Sequence, residues 1–411
     1  MESVGYMRFS KRTDWNTLET TLAQAHRERK TAGLPIVDLT VSNPTQCGFD
    51  YPADLLQPLT NPAAFDYDPD PKGSVQARQA VCRYYSNHGV TVSPEQVLLT
   101  TSTSEAYGYL FKLLCDPGSE VLIPLPSYPL FDFLAQAEAV ELAYAPFFYD
   151  YGWQLDLDGL RQRISLDTRA IVLVHPNNPT GHFIKASEAH DLAGVCRENK
   201  LALIVDEVFL DYGDEAGANS SSDRMSFAAR DLDIPVFVVS GISKICGLPQ
   251  MKVAWLVARG PGSKEALTRL EVLGDTYLSM NAPMQHALPF WLQSRSWIQR
   301  QIQDRVRVNL AELDRALASP VGRENFINRL KFEGGWYTIL RIPAIQPDEM
   351  TTRELLDSGV WVHPGYFFGM GESGWLVLSL LERPTDFSRG ISIVLEYFEV
   401  KLALRSREAY P

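Results

Sequence analysis

Short apolar runs that end on small or acidic residues recur along this chain, and stretches with helical spacing separate them. Val97-Leu-Leu99, Val121-Leu-Ile123, Ala170-Ile-Val-Leu-Val174, Ala202-Leu-Ile-Val-Asp206, Val236-Phe-Val-Val239 and residues 253–257 are such runs. Rich in β-branched residues and too short for helices, they predict strands covered on both faces. Helical patterns fall between them at 74–88, 104–115 and 186–199, and Asp116-Pro-Gly118 breaks one of these before the next run. This alternation predicts an α/β fold whose mostly parallel sheet is flanked by helices. Upstream, residues 14–32 predict an amphipathic helix with Asp14 as N-cap, Trp15, Leu18 and Leu22 on one face, and Gly33 as its stop. Residues 37–52 read as an extended segment. From about residue 283 the texture changes: a long helical region at 285–317, strand-like segments at 330–332, 336–341, 360–362 and 376–380, and a closing helix at 387–405. The expectation is a large α/β domain over 46–285 and a smaller α+β domain made of 1–45 and 286–411. There is no internal repeat, low-complexity tract or long linker.

Composition narrows the class of molecule. The 411 residues are 45% hydrophobic and 21% charged, a globular balance with ample core. A net charge of −12 argues against nucleic acid and anionic membrane as partners. The five cysteines include no CxxC pair, and the seven histidines show no HxH or HExxH spacing. No disulfide framework and no metal site is therefore expected. No apolar run approaches a membrane span, and Met1-Glu-Ser-Val-Gly-Tyr-Met-Arg8 lacks the apolar core of a secretion signal, so cytoplasm is the expected compartment.

The candidate chemistry sits at the ends of the predicted strands. Thr100-Thr-Ser-Thr-Ser-Glu-Ala106 follows one run and opens a helix. By itself it is an ordinary Ser/Thr cap, but its free N–H groups also suit a phosphate. Pro126-Ser-Tyr-Pro129 holds an aromatic between prolines. Pro176-Asn-Asn-Pro-Thr-Gly181 is turn chemistry placed where open α/β sheets bind ligands. Asp206 ends a strand as a carboxylate that can cap the next element or pair with a cationic ring nitrogen. Ser240-Gly-Ile-Ser-Lys244 puts a lysine just past another strand, where a dry amine can be partly neutral and nucleophilic. Cys246 and His175, close to these motifs, read as a small buried hydrophobe and a structural histidine.

In this order and at these separations the motifs resemble the class I/II aminotransferases, the fold type I family of pyridoxal-phosphate enzymes. The resemblance runs from about Val37 to about Leu381, and is strongest at Asn178-Pro-Thr-Gly181, Asp206-Glu207 and Ser243-Lys244. It implies that Lys244 holds pyridoxal 5'-phosphate as an aldimine, with Asp206 on the protonated pyridine nitrogen, Asn178 on the ring hydroxyl and Tyr128 stacked on the ring. Lys244, Asp206 and Tyr128 are the catalytic set. Ser102, Thr103, Ser243, Ser240 and Lys252 would hold the phosphate, and Tyr67 would reach the phosphate of a neighbouring subunit in a homodimer. A buried aspartate keeps the ring nitrogen protonated, and the displaced lysine moves the α-proton.

Departures from the family pattern concern the substrate more than the cofactor. Lys252 stands where an arginine clamp is usual, Phe209 where a tyrosine often donates to the ring oxygen, and Ser102 where glycine is usual. Val377 occupies the place of the arginine that grips the substrate α-carboxylate. Arg383, then Arg341, then the backbone around Ser42-Asn43 are the candidate replacements, with Asn43 and Arg383 as substrate residues. The implied activity is transfer of an amino group between an amino acid and a 2-oxo acid. A β-lyase, decarboxylase or condensing enzyme on the same cofactor is the alternative. A regulator carrying a DNA-binding module is disfavoured by the roughly 35 residues ahead of the family region, and a nicotinamide dehydrogenase by the lack of GxGxxG after a strand.

Overall fold

A computed structural model describes residues 7–214 and 222–409. An eight-stranded sheet forms its centre. From one edge the strands run Val97–Thr100, Ala254–Arg259, Val236–Gly241, Ala202–Asp206, Thr168–Val174, Glu120–Leu125, Glu141–Tyr149 and Trp153–Leu155. The five from Val236–Gly241 through Glu141–Tyr149 pair in parallel, and antiparallel pairings close both sides. The central strands are buried along their length except at Arg169, as continuous apolar runs require. Separate buried clusters on the two faces, one around Trp255 and Leu203 and the other around Phe111 and Phe237, show that both are covered by helices. The Glu141–Tyr149 and Trp153–Leu155 strands had no counterpart among the predicted runs; the first alternates apolar and exposed residues near the sheet edge.

A second, four-stranded sheet is antiparallel and ordered Asn328–Arg329, Tyr337–Arg341, Trp375–Ser379, His363–Pro364. It packs with the helices Ser296–Leu317 and Pro384–Ala409 around a further cluster that includes Trp336, Leu378 and Phe398. Leu330–Phe332, expected as a strand, lies just past the short Asn328–Arg329 strand. The 285–317 region is two helices, Ala282–Ser294 and Ser296–Leu317.

The N-terminal helix differs from its prediction. It spans Thr21–Thr31, and Thr20, not Asp14, caps it by accepting from the Ala23 N–H. Leu18 is 80% exposed, whereas Leu22 and Ala25 are buried. The apparent i, i+4 stripe ran through a region whose local polar residues, Ser10 and Asn16, accept backbone N–H groups in short turns and compete with helix formation. The helix packs on Asp348–Asp357, and Val37–Asp38 pairs in parallel with Val360–Trp361, so the N-terminal segment is tied to the C-terminal part of the chain. No helix among the described residues is long and apolar enough to cross a membrane. Residues 1–6, read for a secretion signal, lie outside the described residues.

Candidate active site

The parallel strands end on one side of the large sheet, and a cavity of about 250 Å³ opens there. Its walls include Ser102, Thr103, Tyr128, Asn178, Asp206, Ser243, Lys244 and Lys252. Ser102, Tyr128, Asn178, Asp206 and Lys244 therefore meet because each ends or follows a strand of the same direction, and Lys252 stands just before the antiparallel strand Ala254–Arg259.

The turn after Val97–Thr100 becomes the helix Thr103–Leu114. Ser102 caps it through its Oγ, which accepts from the Glu105 N–H at 3.1 Å. Glu105 folds back to accept from the Thr101 N–H at 2.6 Å, fixing the turn. Thr101, Ser102, Thr103 and Ser104, at the start of this 12-residue helix, line the cavity, where the free N–H groups of a helix N-terminus and the helix dipole supply partial positive charge. Lys252, the C-cap of a short helical turn in the left-handed region at φ 51°, adds a cation to the same wall.

Asp206 is 7% exposed. One carboxylate oxygen accepts from the Val208 N–H at 3.0 Å, the other from the Tyr107 hydroxyl at 3.1 Å. Burial pushes its pKa up to about 6, against the pull of these donors and of Lys244. Lys244 lies in the four-residue helix Ile242–Ile245 directly after its strand. Its amine sits 5.0 Å from the Trp336 ring and 5.7 Å from the Phe209 ring. Burial draws it down to about 8, with Asp206 and Cys47 opposing. A lysine in this range is partly neutral near pH 8, as a nucleophile and proton carrier requires.

The Asn178 loop is held from beneath. Asn177 Oδ1 accepts from the Thr180 hydroxyl at 2.8 Å and from its N–H at 3.2 Å. Gly181 has φ 71°, and a Cβ there would lie 2.5 Å from the Gly334 carbonyl oxygen, so only glycine allows this loop to meet the second sheet. Asn178 Oδ1 is buried with no hydrogen-bond partner. That orphan acceptor, an ionisable acid, a dry amine and an anion-binding helix start together fit a pyridoxal phosphate.

Other expected residues lie elsewhere. Ser240 is buried in its strand opposite Trp255, off the cavity, with its Oγ unpartnered. Asn43 spends its side-chain oxygen on the Thr45 N–H and hydroxyl, capping the turn Pro44–Gln46. Arg383 is exposed beside Gly48, and Arg341 is exposed over the Trp375 ring. Tyr67 is 83% exposed and lines a different cavity, with Asp66, Asp70, Leu278 and Asn281. Val377 is fully buried, paired with Ile339 and His363 across the second sheet. Cys246 is buried, its thiol 3.5 Å from the Trp291 carbonyl. His175 is buried, its Nδ1 accepting from the Ile184 N–H.

Two tyrosines on the cavity wall, Tyr107 and Tyr337, were not assigned from sequence; Ser42, named there for its backbone, lies on the wall as well. Tyr107 stands one helical turn after Thr103, so helical spacing from the Thr100–Ala106 turn was the signal available for the face it presents.

The model of the family described as aminotransferase class I and II matches residues 65–384. The chain belongs to this family. Among curated relatives, the glutamate-pyruvate aminotransferase AlaA of Haemophilus influenzae is 27% identical over 261 residues, 62% of this chain and 63% of that protein. The alanine aminotransferase of Mycobacterium bovis is 30% identical over 270 residues, 62% of this chain and 60% of that protein. The match thus spans less than two thirds of each of these relatives. Solved structures extend the likeness across the chain. An Escherichia coli aminotransferase aligns with a TM-score of 0.80 at 23% identity, covering 96% of this chain and 98% of that one. An alanine aminotransferase from Pyrococcus furiosus gives a TM-score of 0.80 at 23% identity, covering 95% and 99%. The architecture is fold type I, and pyridoxal 5'-phosphate is the cofactor of the class I and II aminotransferase family to which the chain belongs.

Proposed function

We propose that the protein is an aminotransferase that moves an amino group between an amino acid and a 2-oxo acid, with Lys244 as the residue that anchors the cofactor and carries the proton. The observation that carries this reading is the meeting of Lys244, Asp206 and Asn178 in one cavity whose floor is the start of the Thr103–Leu114 helix. When bound, pyridoxal phosphate supplies an aldehyde for the amine and a ring that accepts electron density from the α-carbon. Asp206 would hold the ring-nitrogen proton. Asn178 would face the ring oxygen, without help from Phe209, which has no donor. Tyr128, on the cavity wall, would cover a ring face. Ser102, Thr103, Ser243 and Lys252 would bind the phosphate. Lys244 would take the proton from the substrate carbon and return it, a role its lowered basicity suits. The dry aromatic walls, Phe209, Tyr337 and Phe131, would keep water from the reacting carbon.

The same reading takes 46–285 as the cofactor-binding domain and 1–45 with 286–411 as the small domain. It takes the active form as a cytoplasmic homodimer in which Tyr67 serves the partner's site. The exposed Phe65, Tyr67 and Tyr277 near the second cavity support a covered surface there. One observation favours a second reading. The cations among the described residues on the cavity wall are Lys244 and Lys252, and no arginine is present to hold a carboxylate in the ring plane. An unclamped carboxylate suits a decarboxylase, β-lyase or condensing enzyme.

Borohydride reduction of the cofactor-loaded protein, followed by peptide mapping, should place a pyridoxyl group on Lys244. A label on Lys252, or none, overturns the anchor. Product analysis separates the readings: a 2-oxo acid with aminated cofactor for transamination, carbon dioxide or pyruvate with ammonia for the alternatives.

A further inference from the structure

Tyr107 makes a contact that the cofactor motifs do not account for. Its hydroxyl donates to Asp206 Oδ2 at 3.1 Å, and both side chains are buried. Its ring is fixed on two sides, edge-on to Phe131 at 5.1 Å and tilted against Phe111 at 6.1 Å. The residue lies in the helix whose first turn forms the anion cradle, one turn beyond Thr103. One rigid helix thus presents the phosphate-binding turn and a donor to the carboxylate that would meet the ring nitrogen.

Resting on the proposed cofactor assignment, we propose that Tyr107 is a positioning residue that keeps the Asp206 carboxylate turned to the cavity and ionised, so that the shared proton stays on the pyridine nitrogen. The physical reason is competition for one proton. A buried carboxylate facing a pyridinium can take its proton and leave two neutral groups, and burial favours that outcome. A donor on the carboxylate favours its charged form and so opposes the transfer. The Val208 N–H supplies one such donor to Oδ1 and Tyr107 supplies the other to Oδ2. Neither group belongs to the cofactor, so the bias is present before it binds. Among the described residues, Lys244, Tyr107, Tyr128 and Tyr85 are ionisable groups that act on or respond to this carboxylate, and of these Tyr107 touches it by a hydrogen bond.

The variant Tyr107→Phe keeps the ring and removes the oxygen. In the apoprotein, the Asp206 carboxyl carbon, assigned by comparison with Asp206→Asn, should titrate about one pH unit higher in Tyr107→Phe than in the parent. In protein loaded with ring-¹⁵N pyridoxal phosphate, the nitrogen resonance should move towards that of an unprotonated pyridine, while the dissociation constant for inorganic phosphate in the apoprotein stays within about twofold. Should Tyr107→Phe misfold, 3-fluorotyrosine at position 107, a stronger donor, should move the Asp206 midpoint the opposite way. An unchanged midpoint in the folded variant overturns the proposal. Failure of borohydride labelling at Lys244 overturns the cofactor assignment instead, because the apoprotein titration does not depend on it.

Discussion

Burial strips the Lys244 ammonium of most of its hydration, and the faces of Trp336 and Phe209 return only part of that loss. The folded protein therefore binds this proton less tightly than the unfolded chain does. Between about pH 8 and the ordinary lysine value, the unfolded state holds more protons than the native one, so stability rises with pH across that window. Lys244→Met should stabilise the apoprotein at pH 7 by about 1–3 kcal/mol, and the gain should fade towards pH 10.5. Denaturant melts of both proteins at pH 7 and pH 10 check this, and an equal difference at the two values contradicts it. Asp206 acts with the opposite sign: its raised value means that stability falls as pH rises from about 4 to about 6. Much of the cavity was legible residue by residue, because Ser102, Asn178, Asp206 and Lys244 each follow an apolar strand and strand ends converge. Tyr107 and Tyr337 were not, because an aromatic on a helix or strand reads as core until its hydroxyl has a known neighbour. Arg383 was misleading for a related reason: proximity in sequence to Val377 carries no information once the chain turns away after Ser379.

At the scale of elements, a polar cluster joins the Asn178 loop to the segment that leads into the second sheet. His182 Nε2 lies 3.0 Å from Glu188, and its Nδ1 is 3.6 Å from Glu333, an ionic contact too long for a hydrogen bond. Lys185 and Lys331 reach Glu333 at 2.6 and 2.8 Å. Burial alone would lower the His182 pKa, but the hydrogen bond to Glu188 and the nearness of Glu333 outweigh it and raise the value. Its stabilising contribution is complete below pH 6.5 and is lost as pH rises through the raised value. His182→Gln should cost about 1–3 kcal/mol at pH 6 and less at pH 9, measured by urea melts. Val377 gives a second test. It is buried in the strand Trp375–Ser379 between Ile339 and His363 and packs in an apolar cluster, so Val377→Arg should destabilise by about 3 kcal/mol or more instead of restoring a carboxylate clamp. A stable Val377→Arg protein with tighter 2-oxo acid binding would show that this strand can face the cavity. The order and type of the long elements were readable from apolar runs, and the two-stranded extension Glu141–Leu155 was not, because half-exposed edge strands lack that signature.

At the scale of the molecule, the proposed homodimer would complete the site with a residue from the second copy. Tyr67 sits in an Asp/Pro-rich loop with its ring in solvent, and its cavity shares no residue with that of Lys244. Phe65, at 93% exposure, is its neighbour, and Leu278 and Tyr277 extend the apolar surface. Exposed aromatics gathered around a concave patch are costly in water, and a second copy seated there would cover them. If Tyr67 serves the partner's site, complementation between two defective proteins follows from geometry. Take one protein with Lys244→Ala and another with Tyr67→Ala, the second assayed at limiting cofactor. In the mixed dimer, the subunit that keeps Lys244 receives Tyr67 from its partner, and one site is whole. The other site carries both defects. Random exchange of equal amounts makes half of the dimers mixed, each with one good site of two, so the mixture should recover about a quarter of the parent activity. If each Tyr67 serves its own subunit, every mixed site carries one defect and mixing recovers nothing. The same mixing experiment, read by sedimentation, reports whether the dimer forms at all; an active monomer at assay concentration rules out the shared site whatever the mixture does.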